Sequence, residues 1–136
     1  MLSASALGKP ASAAEALATL ARLRDRVHAV LTGVCLLRPD APPASRVVET
    51  LVRMRPYDLT EVTIYVESGA PLDKAGAYGI QDRPFRPVGA IRGCYTNVVG
   101  LPLCAVSELL AEGTDSLTAE EAVFPHAQRW ISPPLD

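Results

Sequence analysis

The segment Gly69–Gln81 constrains the fold more than any other part of the sequence, because its three glycines punctuate the chain between neighbouring elements. Glycine adopts positive φ and allows a ligand to approach the backbone closely. Within the segment, Lys74 is suited to bind a phosphate, and the amide of Gln81 can both donate to and accept from the edge of a base. Taken alone, these residues predict either a nucleotide-binding loop or a glycine-rich connection between two elements.

Length, charge and cysteine content exclude several classes of protein. At 136 residues the chain fits one domain with a feasible core. A net charge of −2 provides no basic field for nucleic acid, and no apolar run approaches the ~20 residues of a membrane-spanning helix. The three cysteines are odd in number and widely spaced, so they predict neither a disulfide framework nor a zinc site. We therefore expect a cytoplasmic protein that binds neither nucleic acid nor a membrane.

Four segments carry helix signals. Ser12 opens the first as the start of a capping box with Glu15, and leucines follow at helical spacing. Asp58 and Glu61 form a second capping box, although the β-branched residues that follow favour a strand. The predicted helices are Ser12–Arg24, a short helix from Asp58 that ends at Gly69, Pro102–Glu112, and a further short helix over Thr118–Val123.

Three segments are predicted to be strands. His28–Leu37 is apolar on both faces, which is typical of a central strand in a covered sheet. A proline-rich turn over Arg38–Ser45 separates it from Arg46–Arg55, and this short connection predicts an antiparallel pair. A third strand is centred on Val88–Cys94. The order of elements predicts a mixed α+β or α/β domain in which helices flank a mixed sheet.

Four blocks of the sequence occur in the order that is typical of one family. The blocks are Leu7–Pro10, Leu31–Val34, Pro71–Gln81 and Gly93–Leu103. Through these blocks the sequence resembles the Maf family of nucleoside triphosphate pyrophosphatases, first described as septum-formation inhibitors. The resemblance implies a partial fold of the Maf and inosine triphosphatase type over residues 1–112, with residues 113–136 as a C-terminal extension or tail.

The resemblance also implies a reaction and a set of binding residues. Family members cleave a nucleoside triphosphate between the α- and β-phosphates, and they use a divalent metal, Mg²⁺ or Mn²⁺. By motif, Lys9 would contact the triphosphate, Gln81 would lie in the base pocket, and Asp73 and Lys74 would lie on the loop over the site. A solvated turn lysine is the structural alternative for Lys9, and a local ion pair that fixes the loop is the alternative for Asp73 and Lys74. The metal ligands are not assigned.

Two motifs of the family do not occur in this sequence. They are a Ser-x-Ser-Pro-Arg-Arg segment and an Ala-Asp-Thr motif, whose aspartate is the family's proposed general base. No catalytic residue is therefore assigned, and we expect this chain alone to be weakly active or inactive. Ala70 and Asp82 also stand where the family commonly has glutamate and glycine. A wrongly placed gene start is favoured over a real truncation, and translating the DNA upstream of Met1 would decide between them.

Two functions remain open from the sequence. The first is a nucleoside triphosphate pyrophosphatase with a house-cleaning role, and the second is a non-catalytic nucleotide-binding or cell-division regulatory module. A nucleoside triphosphate is the expected partner, and a homodimer is an expected assembly because the family is often dimeric. Two further polar residues are given structural roles. His28 is interpreted as a structural side chain, and Asn97 is expected to cap the loop that leads to the helix predicted over Pro102–Glu112.

Overall fold

The described residues form an antiparallel four-stranded sheet with flanking helices, which confirms the predicted mixed α+β or α/β class. The computed structural model describes residues 7–111 and 127–133. Along the sheet the strands follow the order β1-β2-β3-β4. The elements are α1 (Ala13–Leu23), β1 (Val27–Arg38), β2 (Ala41–Met54), α2 (Leu59–Glu67), β3 (Val88–Gly93), α3 (Tyr95–Val99), α4 (Leu103–Ala111) and β4 (Ala127–Ile131).

The first two predicted helices begin at the caps that the sequence indicates. Ser12 Oγ accepts a hydrogen bond from the Glu15 amide at 3.2 Å, which satisfies a free donor at the start of α1. Both halves of the second capping box are present, with Asp58 Oδ1 bonded to the Glu61 amide at 2.8 Å. The cap and the buried face outweigh the strand propensity of the residues in α2. Gly69 follows this helix with a φ of 79°, as a glycine after a helix end commonly does.

The predicted central position of the first strand is wrong. Among the described strands, β1 lies at one edge of the sheet and pairs with β2. Its side chains alternate between half-buried and exposed, and Leu31 and Leu37 are 65% and 74% exposed. Within the described residues, β1 is therefore apolar on both faces without being buried on both faces.

The predicted turn over Arg38–Ser45 is too long. Only Pro39 and Asp40 lie between β1 and β2, so the second strand begins at Ala41 rather than at Arg46. Pro42 and Pro43 are part of β2 and are exposed. Proline lacks an N–H and is tolerated in a strand where one side of the backbone is not paired. The prolines are therefore a poor guide to the length of the turn.

The third predicted strand is confirmed, and it ends at a glycine for a steric reason. Gly93, the last residue of β3, has a φ of 133°. A Cβ built on Gly93 would lie 3.0 Å from Thr50 Oγ1 and 3.1 Å from the Thr50 Cα, which is closer than an ordinary van der Waals contact. β3 pairs antiparallel with β4, with Ile91 opposite Ile131. The sequence did not predict β4.

The helices of the C-terminal half differ in part from the prediction. α4 confirms the helix predicted after Pro102, although its expected end at Glu112 lies outside the described residues. The helix predicted over Thr118–Val123 also lies outside them. The short helix α3 was not predicted, and it contains Asn97, which we expected to cap a loop.

The described residues divide into two compact units. The first comprises residues 7–28, 52–90 and 132–133. Its core is aromatic: the Tyr57 hydroxyl donates to the Leu20 carbonyl at 2.6 Å, and the Phe85 ring lies 4.5 Å from that of Tyr65, between centroids. The buried face of α1 in this unit consists of Ala16, Leu20 and Leu23.

The second unit comprises residues 29–51, 91–111 and 127–131. Its buried side chains are smaller, and two cysteines lie among them beside Val48 and Ala105. Two polar side chains, Thr50 and Asn97, are also buried. Because a buried polar group must be hydrogen-bonded, each of these positions is expected to fix local structure.

Candidate functional site

All four predicted binding residues belong to the first unit, and three of them lie in one loop. We call residues Gly69–Asp82 the glycine loop. Its backbone makes two short 3-10 turns, Ala70–Asp73 and Ala75–Ala77. Gly76, inside the second turn, has a φ of 74°, which glycine adopts without strain, and Ala77 also has a positive φ of 65°. The loop is therefore a defined structure rather than an unspecific connection.

A backbone hydrogen bond brings the Lys9 block next to the glycine loop. The Gly76 amide donates to the Gly8 carbonyl at 3.1 Å. Lys9 follows Gly8 directly, and its side chain is exposed. Asp73 and Gln81 are exposed as well, whereas Lys74 is half-buried. Two blocks that are more than sixty residues apart in sequence thus meet at one surface.

The side chains of the glycine loop are organised around Asp82. Lys74 Nζ lies 2.9 Å from Asp82 Oδ1 and 2.7 Å from Asp82 Oδ2. The Tyr65 hydroxyl and the Gly79 amide, the latter at 3.2 Å, both donate to Asp82 Oδ2. The ion pair of Lys74 is therefore made with Asp82. The side chains of Lys74 and Asp82 are 33% and 20% exposed, so solvent screens the attraction and reduces its contribution to stability.

The electrostatics of this cluster keep Tyr65 protonated. Burial raises the pKa of Tyr65, and the hydrogen bond to the Asp82 carboxylate raises it further. At neutral pH the phenol is therefore a donor, and Asp82 accepts from a hydroxyl, an ammonium and an amide. A carboxylate engaged in this way is poorly placed to accept a proton from water.

The Asp82 carboxylate occupies the space that a side chain at residue 79 would enter. A Cβ at residue 79 would lie 2.9 Å from Asp82 Oδ1 and 3.0 Å from Oδ2. Sequence reasoning identified Asp82 only as a departure from the family pattern and did not identify Tyr65. The sequence carries no signal for the pairing of Lys74 with Asp82, because the partial burial of Lys74 is visible only in the folded structure.

A second contact supports the glycine loop from its buried side. His28 Nε2 and the Tyr78 hydroxyl are 2.7 Å apart, and the two rings meet edge to face with 5.5 Å between centroids. Burial lowers the pKa of His28 to about 4, so the imidazole is neutral at physiological pH. It also raises the pKa of Tyr78. This packing agrees with the interpretation of His28 as a structural side chain.

The polar centre of the second unit is Asn97, in a segment that we call the strand–helix junction, Gly93–Cys104. Asn97 is 1% exposed. Its Nδ2 lies 3.1 Å from the Val30 carbonyl, 3.2 Å from the Val48 carbonyl and 3.0 Å from Thr50 Oγ1. The side chain therefore connects α3 to β1 and β2. The expectation that Asn97 caps a loop is therefore wrong, because its side chain is buried and holds these elements together.

A divalent metal would have few protein ligands here. In the described ranges, 7–111 and 127–133, no three side chains of histidine, cysteine, aspartate or glutamate are grouped closely enough to hold a metal ion. Mg²⁺ in nucleotide enzymes is commonly held by one or two carboxylates together with the phosphates of the substrate.

Comparison with known proteins assigns the family. Residues 1–113 match the family described as Maf-like protein. This chain belongs to the Maf family. A dTTP/UTP pyrophosphatase from Dehalococcoides mccartyi is 51% identical over 107 residues, which is 78% of this chain and 48% of that protein. One from Symbiobacterium thermophilum is 49% identical over 106 residues, 78% of this chain and 54% of that protein.

A third relative extends further along the chain. The dTTP/UTP pyrophosphatase of Thermomicrobium roseum is 44% identical over 120 residues, 88% of this chain and 55% of that protein. This Maf-family chain thus spans about half the length of the curated relatives it matches. Among the helices of the described residues, none has the length and apolar character needed to cross a membrane.

Proposed function

We propose that the protein represented by this chain is a nucleoside triphosphate pyrophosphatase that converts a nucleoside triphosphate and water into the monophosphate and pyrophosphate. We further propose dTTP and UTP as its substrates, because the relatives are named dTTP/UTP pyrophosphatases. A house-cleaning role, a cytoplasmic location and a homodimer belong to the same proposal. The proposal also includes a Maf-family domain that ends near residue 112.

One observation carries the assignment of the site: the hydrogen bond between Gly76 and Gly8 that joins the Lys9 block to the glycine loop. In this proposal the Lys9 ammonium binds the triphosphate, and the Gln81 amide reads the base edge. Both side chains are exposed, so a ligand can reach them without rearrangement of the core.

The remaining loop residues have different roles in the proposal. Lys74 is held in an ion pair by Asp82, so in the proposal it shapes the loop beside the phosphates. Asp73 is exposed and would hold Mg²⁺ or Mn²⁺ together with phosphate oxygens. When bound, the metal supplies charge neutralisation for the departing pyrophosphate.

A second function is favoured by the state of Asp82. This carboxylate already accepts from Lys74, Tyr65 and Gly79, and is therefore not the group that would activate water. We accordingly propose that the 136-residue chain by itself binds a nucleotide without efficient turnover. In that case its role would be that of a nucleotide-binding or cell-division regulatory module.

The experiment measures nucleotide binding and pyrophosphate release by the purified chain with dTTP or UTP and Mg²⁺. Lys9→Ala is expected to weaken triphosphate binding by about 10-fold or more, because a hydrogen bond to a charged group contributes ~1.5–3 kcal/mol. Arg22→Ala is the matched control, since Arg22 is another exposed cation, in the last turn of α1. It is expected to leave binding unchanged.

The outcomes separate the two functions. Pyrophosphate release by this chain would establish the enzyme directly, whereas binding without release would favour the regulatory module. A longer product, obtained by extending the reading frame upstream of Met1, is assayed in parallel. If neither product releases pyrophosphate from dTTP, UTP or modified triphosphates, the pyrophosphatase proposal is refuted. Equal binding by wild type and Lys9→Ala would remove Lys9 from the site.

A further inference from the structure

Two cysteine thiols lie in contact inside the second unit. Cys94 directly follows β3, and Cys104 lies in the first turn of α4. Their sulfur atoms are 3.1 Å apart, and the residues are 3% and 2% exposed. Both are free thiols. A disulfide bond requires a sulfur separation of about 2.0 Å, so the two atoms need to approach each other by only about 1 Å.

The surroundings give the two thiols different acidities. Burial alone would raise the pKa of Cys94, but hydrogen bonds with Thr96, with Cys104 and with the Asn97 and Cys104 amides lower it overall. The Thr96 hydroxyl lies 3.1 Å from the Cys94 sulfur. Burial and the contact with Cys94 raise the pKa of Cys104 to about 11. Cys94 is therefore the thiol that is more readily ionised, and Cys104 stays protonated beside it.

A small cavity reaches Cys104 from outside, and the Cys104 sulfur contacts that of Cys94. Its volume is about 190 Å³, and Cys104, Val48 and Ala105 form part of its lining together with the charged side chains of Glu49 and Glu108. All of these residues belong to the second unit. The cavity admits a molecule a few atoms in size, whereas a bulky aromatic thiol reagent would require the unit to open.

We propose that Cys94 and Cys104 are a site of oxidative modification, at which a small hydroperoxide converts the thiol pair into an intramolecular disulfide. Residues 1–113, which match the Maf family, include both cysteines, but the proposal does not depend on the pyrophosphatase activity. The contact between the two sulfurs carries it, because a second thiol within reach turns a reversible oxidation into a disulfide before further oxidation occurs.

The chemistry balances in two steps. The Cys94 thiolate attacks one oxygen of hydrogen peroxide, the O–O bond breaks, and the departing hydroxide takes a proton and leaves as water. Cys94 is then a sulfenic acid. Cys104 gives up its proton as its sulfur attacks the Cys94 sulfur, the S–S bond forms, and the S–O bond breaks to release a second water. Two thiols are oxidised and one peroxide is reduced.

The test uses the Cys35→Ser variant, because Cys35 is exposed and would otherwise react independently. The variant is treated with hydrogen peroxide, quenched, denatured and titrated with a thiol reagent. The number of titratable thiols is expected to fall from two to none, and the intact mass to fall by about 2 Da through loss of two hydrogens. A reductant should restore both thiols, and the protein should remain monomeric on a non-reducing gel.

The matched control is the double variant Cys35→Ser/Cys104→Ser, in which Cys94 has no thiol partner. Its mass is expected to rise by about 16 or 32 Da as oxygen is added, without the 2 Da loss. Two titratable thiols in the single variant, under conditions that oxidise the double variant, would overturn the proposal. Oxygen addition in place of hydrogen loss would overturn it as well.

A measurement on the unsubstituted chain covers the case in which the double variant does not fold. After peroxide treatment and chymotrypsin cleavage at Tyr95, which lies between the two cysteines, the disulfide holds two peptides together. Detection of a Cys94–Cys104 linked pair supports the proposal. Its absence, with both residues recovered as thiols or as oxygenated cysteines, contradicts it.

Discussion

The glycine loop and the strand–helix junction are each organised around one polar side chain with three partners. In the loop the centre is Asp82, a charged group that accepts from Lys74, Tyr65 and Gly79 and is partly open to solvent. In the junction the centre is Asn97, a neutral group that is 1% exposed. Both centres have three partners, but Asp82 lies near solvent and Asn97 lies in the protein interior.

This difference in medium determines what each centre can do. Near solvent, water can replace a lost partner, so an ion pair contributes little to stability and its charges remain available to a ligand. Inside the unit no water replaces a lost partner, and each abandoned carbonyl costs the full desolvation penalty. We therefore expect substitutions in the loop to affect ligand binding more than stability, and substitutions in the junction to affect stability.

The largest expected effect is at the junction. Asn97→Ala removes the donors for the Val30 and Val48 carbonyls and for Thr50 Oγ1. We expect the free energy of unfolding to fall by about 2–4 kcal/mol, measured by urea denaturation. Gln81→Ala is the control, because it truncates an exposed amide in the glycine loop and is expected to change stability by less than about 0.5 kcal/mol. Equal losses in the free energy of unfolding for the two variants would contradict the difference between the loop and the junction.

The second effect depends on pH and belongs to the loop. The pKa of His28, which packs on Tyr78 of the glycine loop, is lowered by burial from 6.5 to about 4. Between these values the unfolded chain binds a proton that the folded protein does not, so stability is complete above pH 6.5 and is lost as pH falls toward 4. By pH 5 the loss attributable to His28 is about 2 kcal/mol.

The measurement compares unfolding at pH 7.5 and pH 5 for three proteins. His28→Gln retains a side chain that can bond to Tyr78 but does not titrate, so its loss between the two pH values should be smaller than that of wild type by this amount. Asn97→Ala should keep the wild-type pH dependence, because it leaves His28 unchanged. If His28→Gln keeps the wild-type loss, the neutral state of the buried imidazole is wrong.

Short-range signals in the sequence were sufficient for α1, α2 and α4, but not for the short helix α3. The Asp58–Glu61 capping box predicted α2 correctly against the strand propensity of its residues, since both partners of a cap lie within four positions. The position of β1 in the sheet could not be obtained in this way. An apolar strand has the same sequence pattern at the edge of a sheet as at its centre. Its position is determined by the neighbouring strands, which are distant in sequence.

The candidate site shows the same limit. Motif resemblance directed attention to Lys9, Lys74 and Gln81, and the loop that carries two of them is present as a defined structure. The partner of Lys74 was not predicted, because Asp82 departs from the family pattern and Tyr65 reaches it from α2. A half-buried ion pair is assembled by tertiary packing, which a linear motif does not encode.

The smallest expected effect tests whether Asp82 is the reason for Gly79. The φ of Gly79 lies outside the left-handed region, so alanine is excluded there only by the Asp82 carboxylate, which would lie 2.9 Å from the alanine Cβ. Gly79→Ala should cost about 1 kcal/mol in wild type and much less in an Asp82→Ala background, which is a coupling of the size expected for residues in contact. Gly33→Ala in β1 is the control, because nothing lies within 4 Å of the place its Cβ would take. An equal cost for Gly79→Ala in both backgrounds would show that Asp82 does not dictate the glycine, and the polar centre of the loop would then have to be sought among its other residues.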